Sequence, residues 1–571
     1  MRLKRLEIIG EYKAIQGTED TPFVYDFNNT PTTYSPLCLV GLNGSGKSNF
    51  IELIADIFGY ADRYFNEQYD CKMDLGYRFK IEYEINHHGE CYRVRLIGQP
   101  YGLSMYLNGG DACSIESDHH QFLPTRVVAY SSGSNQGLSS VFAKSQFQYY
   151  EVIRKQAAFY RGFQRRYDAV SGLEDGSEQE LIDYKRRRYQ ANSDLFEIPR
   201  DMNVRDYFNQ LDLGEPLKYR DTALPIGLFT DHTFSQLVFI FLLVTRNPDF
   251  QHFISEEIKI DSLSSFELDL RLSAFRDFEV VKDIANRLIK LSAGSQGLPT
   301  MTCPQTFNER TLSGVLPFTF NDAFLESFES LYLDETVFLK HLITLTQLVA
   351  KKWSGDEKRS LRTSQYTRNV PNLSGGLAPI RIINTKITLS QPDTETLYDR
   401  LSDGEHQLMQ VIGSLIMFAD EQALFILDEP ESHFNPEWRM EFIELISRYV
   451  DASNLDILIS THSPFVLSAC KAERVLNFSK DESGHVEISG VESETYGASF
   501  DTLLTTVFDL DVLISKKPLA EIQHILSQHE GDLISMEDTL RNLEQYGDSF
   551  ELNLRRNRLR RQLDNHEGSA E

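Results

Sequence analysis

A glycine-rich stretch near the N-terminus reads Gly41-Leu42-Asn43-Gly44-Ser45-Gly46-Lys47-Ser48. It matches the pattern G-x-x-x-x-G-K-[ST], in which backbone amides surround a polyphosphate. The apolar run from Leu37 to Val40 precedes it, as a buried parallel strand does, and apolar residues at helical spacing follow from Asn49 to Phe58. Because strand, glycine-rich loop and helix occur in the required order, the sequence predicts a nucleotide site at this phosphate loop.

The residue types of the phosphate loop suit a nucleoside triphosphate with its magnesium ion. Its glycines allow turns that other residues resist and a close approach to phosphates. Lys47 is placed to reach the β- and γ-phosphates, and the Ser48 hydroxyl is placed to ligate Mg²⁺. We therefore predict ATP and Mg²⁺ as cofactors. The predicted nucleotide-binding residues are Gly41, Asn43, Gly44, Ser45, Gly46, Lys47, Ser48 and Asn49.

A second apolar run supplies the carboxylates that hydrolysis needs. It extends from Ala423 and ends in Asp428 and Glu429, followed by Pro430. Asp428 is placed to hold Mg²⁺ through water, and Glu429 is placed to orient or deprotonate the attacking water. Two carboxylates at a strand end can also form a simple turn. The phosphate loop in the same chain favours the catalytic interpretation.

Composition and charge restrict the classes of protein that this chain can be. Its 571 residues, of which 41% are hydrophobic, allow roughly three or four globular domains. The formal net charge of −27 means that a nucleic-acid contact needs a local basic patch or a partner. The six cysteines form no C-x-x-C pair, and the apolar run from Leu237 to Val244 is too short to span a bilayer. We expect a soluble, cytoplasmic protein without membrane contact.

Changes in residue pattern divide the chain into four predicted regions. Alternating apolar and polar residues predict a first strand near Leu3 to Ile9 and a hairpin between Phe79 and Ile97. Helical periodicity then prevails until strand character returns at Ile380. The predicted regions are an N-terminal head lobe (1–148), a largely helical insertion (149–378), a C-terminal head lobe (379–500) and a helical C-terminal region with a basic end (501–571).

Two basic clusters are conspicuous in this acidic chain. Each is a candidate contact for nucleic acid or for an acidic partner, and the interpretation as a solvated loop or helix face stays open for both. The first cluster contains Lys351, Lys352, Lys358, Arg359, Arg362 and Arg368. The second contains Arg555, Arg556, Arg558, Arg560 and Arg561.

The segment from Leu401 to Gln407 resembles the signature of the ABC-type ATPases, which begins with Leu-Ser-x-Gly-Glu/Gln. In that family the signature caps the γ-phosphate bound by a partner subunit, so two sites form only in a head-to-tail dimer. The resemblance implies that this signature segment contacts the partner's ATP. The residues involved are Ser402 and Gly404, flanked by Asp403 and Glu405.

Three further features resemble motifs of the same family. An apolar strand beginning at Ile457 leads to His462, which matches the catalytic switch histidine that senses the γ-phosphate. Residues 431–436 fall where the family's D-loop crosses the dimer interface. Gln136, which follows a strand and precedes the insertion, is the candidate for the glutamine that touches the metal, although its neighbours match no firm pattern.

The spacing of the motifs indicates one branch of this family. Nearly 390 residues separate the phosphate loop from Asp428, more than in a membrane transporter's nucleotide-binding domain. The pattern Leu-x-x-Leu-x-Ile-x-Gly from Leu3, and Asp-Glu-Pro-Glu from Asp428, resemble the RecF/SMC/OLD-like (AAA_21-like) ATPases over about residues 1–145 and 380–500. The resemblance implies an α/β fold: an ABC-type P-loop NTPase head with a mixed sheet and an antiparallel β subdomain, split by the insertion.

That branch includes DNA-repair proteins and the ATPases of anti-phage defence systems. OLD-type nucleases carry a C-terminal Toprim domain, but only 109 residues follow His462, too few for one besides the last head strands. We therefore expect an ATPase without its own nuclease, resembling the PtuA family of Septu and retron-linked systems. It would dimerise and regulate a separate nuclease such as an HNH protein, with DNA or retron RNA/DNA as a candidate partner. The alternative is a RecF/Rad50-like DNA-repair or chromosome-associated ATPase that binds DNA directly.

Overall fold

The computed structural model describes residues 1–27, 36–66, 68–69, 75–100, 102–110, 119–133, 136–171, 178–198, 202–210, 220, 222–299, 302–363, 378–390, 393–450, 454–510, 514–527 and 533–567. The strands in these residues are β1 (Arg2–Tyr12), β2 (Ile15–Gly17), β3 (Phe23–Asp26), β4 (Leu37–Val40), β5 (Tyr77–His87), β6 (Glu90–Gln99), β7 (Gly102–Leu107), β8 (Arg126–Ser131), β9 (Gly227–Thr230), β10 (Ile260–Arg271), β11 (Phe307–Asn308), β12 (Ser313–Thr319), β13 (Ile380–Ser390), β14 (Asp393–Leu397), β15 (Ala423–Asp428), β16 (Asp456–Ser460), β17 (Val475–Lys480) and β18 (Val486–Gly490).

The helices in the same residues are α1 (Lys47–Phe65), α2 (Gln136–Ser171), α3 (Glu178–Gln190), α4 (Val204–Gln210), α5 (His232–Val244), α6 (Pro248–Phe253), α7 (Glu279–Ser295), α8 (Asp322–Leu331), α9 (Glu335–Gln347), α10 (Gly355–Thr363), α11 (Asp403–Met417), α12 (Pro436–Tyr449), α13 (Pro464–Ser468), α14 (Phe500–Thr506), α15 (Lys516–Ser527), α16 (Leu533–Leu543) and α17 (Phe550–Glu567). Within this described part of the chain, none of the helices is long and apolar enough to cross a membrane.

A mixed sheet of seven described strands forms the centre of the head. Its order is β18-β17-β4-β16-β15-β8-β9, and all neighbours run parallel except the antiparallel pair β17 and β18. Strands β4, β15 and β16 are buried along their whole length. Both faces of these strands are covered, and they therefore read as continuous apolar runs without alternation. The predicted strands before the phosphate loop and before Asp428 are confirmed.

An antiparallel sheet packs above α1. Its order is β2-β1-β5-β6-β7, with β3 also paired to β1. The predicted hairpin is confirmed, since Phe79 of β5 pairs with Gly98 of β6 and Ile85 pairs with Tyr92. One hydrophobic cluster joins Ile8 of this sheet, Phe50 of α1 and Leu458 of β16. Helix α1 is thus held between the two sheets, which fixes the position of the phosphate loop at its N-terminus.

The segment 149–378, predicted to be a largely helical insertion, contains strands as well as helices. It contributes β9 to the edge of the seven-stranded sheet, where Val127 pairs with Gly227, and β10, β11 and β12 to a five-stranded antiparallel sheet ordered β11-β12-β10-β13-β14. Helix α5 of the same segment packs against α11 of the C-terminal lobe. The segment therefore belongs in part to the head, because β9 needs the hydrogen bonds of β8 to complete it.

The chain divides into two compact units, Met1–Gly497 and Ala498–Glu571. The first contains the three sheets that the described residues form. The second contains α14 to α17 and has a small apolar cluster of its own, formed by Ile522, Leu543, Leu552 and Leu559. Apolar residues of α15, α16 and α17 thus supply this cluster, as expected for amphipathic helices.

Candidate nucleotide-binding site

The phosphate loop adopts the conformation that its glycines allow. It follows the last residue of β4, and Gly41, Gly44 and Gly46 all have positive φ angles, of 138°, 80° and 110°. Residues with a Cβ rarely adopt such angles. Helix α1 begins immediately afterwards at Lys47, whose Nζ atom donates a hydrogen bond of 2.8 Å to the Gly41 carbonyl. The loop therefore closes around its own lysine, and the N-terminal amides of α1 face the pocket.

The hairpin of β17 and β18 packs against this loop. A Cβ atom on Gly41 would lie 2.3 Å from the carbonyl oxygen of Phe478. A Cβ atom on Gly46 would lie 2.3 Å from Cγ2 of Val486. Both distances are far shorter than van der Waals contact, so close packing as well as backbone conformation requires glycine at these two positions.

The two predicted carboxylates lie at the carboxyl end of β15, opposite the phosphate loop. Asp428 is buried and accepts a hydrogen bond of 3.4 Å from Ser131 Oγ. Glu429 has a left-handed φ of 51°, and its N–H donates to the Ser460 carbonyl at 2.9 Å. This backbone bond joins the ends of β15 and β16. It brings Glu429 Oε1 to 3.8 Å from His462 Nε2.

A pocket of about 380 Å³ lies between these elements. It gathers most of the residues predicted from the sequence to bind nucleotide or to catalyse its hydrolysis. It is also lined by residues that sequence reasoning did not assign to the site, namely the turn after β8 and the end of β16. The lining residues are Asn43, Gly44, Gly46, Lys47, Ser48, Asn49, Ser131, Ser132, Gly133, Asp428, Glu429, Ser460 and His462.

Ser131 is the last residue of β8, which runs parallel to β15 and pairs with it so that Ser131 stands beside Asp428. Ser132 and Gly133 form the turn that follows and also line the pocket. The carboxyl ends of adjacent parallel strands meet at one edge of a sheet. The apolar run from Val127 to Tyr130 is a signal in the sequence for a strand that ends at this turn, but the sequence does not show which strand lies beside it.

Burial and neighbouring charges set the protonation of the pocket. Burial lowers the pKa of Lys47, and the negative charges of Asp428 and Glu429 oppose that effect. Burial also lowers the pKa of His462, as does the positive charge of Lys47, while Asp428 raises it. The imidazole of His462 is therefore neutral near pH 7, and it can donate one hydrogen bond and accept another.

The donor atoms in the pocket fit a magnesium-bound triphosphate. The Ser48 hydroxyl and the Asp428 carboxylate are hard oxygen ligands of the kind that Mg²⁺ prefers, and the phosphates of a nucleotide supply further oxygens. Lys47 and the amides at the start of α1 provide the complementary positive potential. The side chain of Gln136, the predicted metal-contacting glutamine, lies outside the described residues, and α2 begins at this position.

The signature segment is located elsewhere on the head. Ser402 caps α11 and forms a capping box with Glu405: the Glu405 N–H donates to Ser402 Oγ at 3.3 Å, and Glu405 Oε2 accepts from Ser402 N at 2.6 Å. Ser402 and Asp403 are exposed, whereas Gly404 is buried against the His433 carbonyl. None of the residues 402–405 is among the described residues that line the pocket of Lys47.

The basic clusters are only partly exposed. Arg556 is 8% exposed, pairs with Asp548 at 2.6 Å and donates to the Leu543 and Tyr546 carbonyls, so it is a structural residue of the second unit rather than a surface contact. The other described arginines of the second cluster are exposed: Arg555, Arg558, Arg560 and Arg561.

In the first cluster, Arg362 pairs with Glu151 at 2.7 Å and Arg359 pairs with Asp356 at 3.6 Å. Both arginines therefore already have a carboxylate partner in this chain. The side chains of Lys351 and Lys352, and all of Arg368, lie outside the described residues.

The strand order, the phosphate loop on α1 and the carboxylates at the end of β15 together fit the fold of a P-loop NTPase head of the ABC type. A family model described as "AAA domain, putative AbiEii toxin, Type IV TA system" matches residues 319–468. That range contains the signature segment, both carboxylates and His462.

Two curated relatives match parts of the chain. Protein ea59 of Escherichia phage lambda is 30% identical over 194 residues, which cover 34% of this chain and 36% of that protein. Septu protein PtuA of Bacillus thuringiensis is 24% identical over 141 residues, which cover 22% of this chain and 35% of that protein. The chain thus spans about a third of the length of these relatives.

Solved SMC head domains also align with the chain. The head from Thermotoga maritima has 13% identity and a TM-score of 0.30, covering 86% of this chain and 100% of that one. The head from Pyrococcus furiosus, with an extended coiled coil and bound to the C-terminal domain of ScpA, has 12% identity and a TM-score of 0.30, covering 91% and 99%.

Proposed function

We propose that this chain is an ATP-hydrolysing switch whose two catalytic sites form between two copies arranged head to tail. The observation that supports this proposal is that the motifs lie at two separate places on the head. Lys47, Glu429 and His462 line one pocket, whereas the signature lies outside that pocket, with Ser402 and Asp403 exposed. A second copy that supplies its own signature would complete each site.

Within each pocket the residues have separate roles in hydrolysis. Bound ATP with Mg²⁺ supplies the phosphoanhydride and the charge that polarises it. The ammonium of Lys47 neutralises phosphate charge, and the Glu429 carboxylate orients the attacking water and accepts its proton. His462, neutral and 3.8 Å from Glu429, positions that carboxylate or donates to the γ-phosphate.

Two substitutions test this mechanism. Glu429→Gln should retain nucleotide binding but lose roughly 10²- to 10⁴-fold in turnover, because the general base is removed. With ATP and Mg²⁺ it should accumulate as a particle of twice 65.6 kDa in light scattering. Ser402→Arg should bind ATP yet remain monomeric.

The matched control is Ser499→Arg. Ser499 caps α14 as Ser402 caps α11, so both substitutions remove a helix cap while only one alters the signature. Dimerisation of Ser402→Arg to the wild-type extent, or wild-type turnover in Glu429→Gln, would contradict the proposal.

We propose that this switch regulates a separate nuclease that acts in anti-phage defence, such as an HNH protein. The partial similarity to Septu protein PtuA supports this part of the proposal. Affinity purification from the native host should recover a nuclease in stoichiometric yield, and Lys47→Ala should abolish protection in a plaque assay. Recovery of DNA-repair proteins alone would favour the alternative function.

The alternative, an ATPase that binds DNA directly, is supported by α17. Arg555, Arg558 and Arg561 are exposed and follow one another at intervals of three residues, which places them along one side of the helix. If they contact phosphates, a triple substitution to Gln should weaken DNA binding and reduce the salt slope by about 0.9 per lost contact. Arg541→Gln, at an exposed arginine of α16, is the control.

A further inference from the structure

A concavity of about 510 Å³ lies on the antiparallel sheet of the head. It is lined by Glu82 of β5, by Arg93 and Arg95 of β6, and by Asn108 and Gly109 in the turn that follows β7. None of these residues is among the described residues that line the nucleotide pocket. Its volume lies within the range of small-molecule sites, roughly 300–1,000 Å³.

Strand alternation places this concavity on the face of the sheet that points away from α1. Tyr83 packs against Phe58 of α1, with ring centroids 5.4 Å apart. Its neighbour Glu82 therefore points to the opposite face, where Arg95 stands beside it on β6. The side chain of Glu82 is nevertheless only 7% exposed. The side chains of its cationic neighbours cover it.

Three cations surround this single buried carboxylate. Arg93 Nη2 donates to Glu82 Oε2 at 2.9 Å. Arg95 Nε lies 3.2 Å from Glu82 Oε1, and Lys80 Nζ lies 3.6 Å from the same oxygen. Burial raises the pKa of the Glu82 carboxyl, but the hydrogen bond from Arg93 and the charges of all three cations outweigh burial and lower it. Glu82 is therefore ionised, and the cluster keeps a surplus of positive charge.

This surplus is confined to the concavity. Other cations of the same sheet each have a close carboxylate partner, at 2.8 to 2.9 Å: Lys4 with Glu84, Arg5 with Asp26, and Arg78 with Glu19. A nucleic-acid strand laid across this face would meet those carboxylates, which repel its phosphates. The distribution of charge therefore favours a compact anion over an extended one.

Both arginines are held in position and stay open to a ligand. The Arg95 guanidinium lies 5.9 Å from the ring centroid of Tyr106, and the side chains of Arg93 and Arg95 are 60% and 39% exposed. Asn108 Oδ1 accepts from the Arg93 N–H at 2.9 Å, so its Nδ2 is the end that can donate to a ligand. A guanidinium presents parallel N–H donors that match two oxygens of a phosphate group.

We propose that this concavity is a second anion site, which binds a compact ligand that carries a phosphate group. Arg93 and Arg95 bind the phosphate oxygens, and Asn108 Nδ2 donates to the ligand from the rim. Glu82 is a positioning residue, because it holds both guanidiniums without touching the ligand. The site needs neither ATP hydrolysis nor a second copy of the chain, so it is independent of the proposed function.

The experiment titrates inorganic pyrophosphate into the full-length chain by calorimetry, at about 0.15 M salt to screen non-specific attraction. Every protein carries Lys47→Ala, which removes binding at the phosphate loop. We expect this background to bind one pyrophosphate per chain. Adding Arg93→Gln and Arg95→Gln together should weaken binding at least about tenfold, because both guanidiniums are lost.

A second variant leaves the ion pairs of Glu82 intact. Asn108→Asp keeps an oxygen that accepts from the Arg93 N–H, and aspartate tolerates the left-handed φ of 50° at this position. It replaces the Nδ2 donor by a negative oxygen, so it should weaken binding at least about fivefold. This variant decides the question if the double arginine variant unfolds.

Arg78→Gln is the matched control. Arg78 lies on β5 on the same face as Glu82 and pairs with Glu19 at 2.9 Å, but it does not line the concavity. Its substitution should change pyrophosphate affinity by less than about twofold.

The proposal is overturned if the Lys47→Ala chain binds no pyrophosphate, or if it binds pyrophosphate equally well after Asn108→Asp or the double arginine substitution. A duplex DNA fragment that binds through Arg93 and Arg95, without any pyrophosphate binding, also overturns it, since this face would then contact nucleic acid. A chain that neither hydrolyses ATP nor dimerises would refute the proposed function and leave these titrations unchanged.

Discussion

Glu431 shows how burial changes the chemistry of a single carboxyl group. Burial raises its pKa to about 7; the Glu429 charge also raises it, while the hydrogen bond from Thr461 and the Arg439 charge lower it. Its Oε2 atom is buried without a hydrogen-bond partner among the described residues. A carboxylate in that setting lacks the solvation that it has in water, and the group therefore retains its proton up to neutral pH.

This shift makes the stability of the head depend on pH. The folded-state pKa lies above the ordinary value of 4.5, so the wild type loses stability as pH rises from about 5 through 7 and the buried group ionises. Glu431→Gln removes that ionisation. We expect the variant to gain on the order of 2–3 kcal/mol relative to wild type between pH 5 and pH 8.5, measured by urea unfolding.

The exposed Glu437 provides the control for this experiment. Glu437→Gln should differ from wild type by the same amount at both pH values. A difference between Glu431→Gln and wild type that does not change with pH would show that Glu431 is ionised in the fold at pH 5.

Among the secondary-structure elements, the phosphate loop depends on a hairpin that lies more than 400 residues away in the chain. Strand β17 pairs with β4, so that Leu476 stands beside Leu39. The β17–β18 hairpin therefore packs against the phosphate loop that follows β4. Val486 of β18 fills the space where a side chain on Gly46 would lie. The conformation of the loop is therefore set by sheet assembly as well as by its glycines.

Gly46→Ala should displace the phosphate loop, because its Cβ would overlap Val486, whereas a Cβ atom on Gly44 would meet nothing within 4 Å. Both glycines have positive φ, so the backbone strain of about 1–3 kcal/mol is common to both substitutions. We expect Gly46→Ala to weaken nucleotide binding at least about tenfold more than Gly44→Ala, by fluorescence titration.

A compensating substitution gives this comparison its control. Val486→Ala creates space opposite residue 46, and in the Gly46→Ala background it should restore part of the lost affinity, since contacting residues are energetically coupled. If the double variant binds nucleotide no better than Gly46→Ala alone, the contact with β18 is not the cause.

For the molecule as a whole, nucleotide binding belongs to one of the two compact units. Every described residue that lines the pocket lies between Asn43 and His462, inside Met1–Gly497. That unit also contains the hydrophobic cluster that joins α1 to both adjoining sheets. The pocket is therefore formed without any described residue of Ala498–Glu571.

A chain that ends at Gly497 should consequently fold and bind nucleotide. We expect its dissociation constant for a fluorescent ATP analogue to lie within about twofold of that of the full chain. Lys47→Ala in the shortened chain should abolish the signal and so control for non-specific binding. A shortened chain that melts cooperatively but does not bind would contradict the assignment of the whole site to the first unit.

The parts of the site in which strand, loop and side chain are contiguous could be predicted from the sequence alone. The phosphate loop, Asp428 and Glu429 were predicted because each follows an apolar run, and parallel strands bring their carboxyl ends to one edge of the sheet. His462 was predicted from its resemblance to the switch histidine of the ABC-type ATPases. The head-to-tail dimer and the regulated nuclease were inferred from the family resemblance and stay predictions.

In contrast, the contacts between residues that are far apart in the sequence depend on the tertiary fold. The side-chain amide of Gln407 donates a hydrogen bond to the hydroxyl of Tyr130, which lies 277 residues away in the sequence. Arg556 is an exposed arginine by its sequence pattern, yet in the fold it is a buried hydrogen-bond donor. Strand β9 lies among helices in the sequence and becomes a strand because β8 offers it an open edge. A polar side chain's role depends on the burial and partners that packing gives it, and those long-range contacts leave no periodic signal in the local sequence.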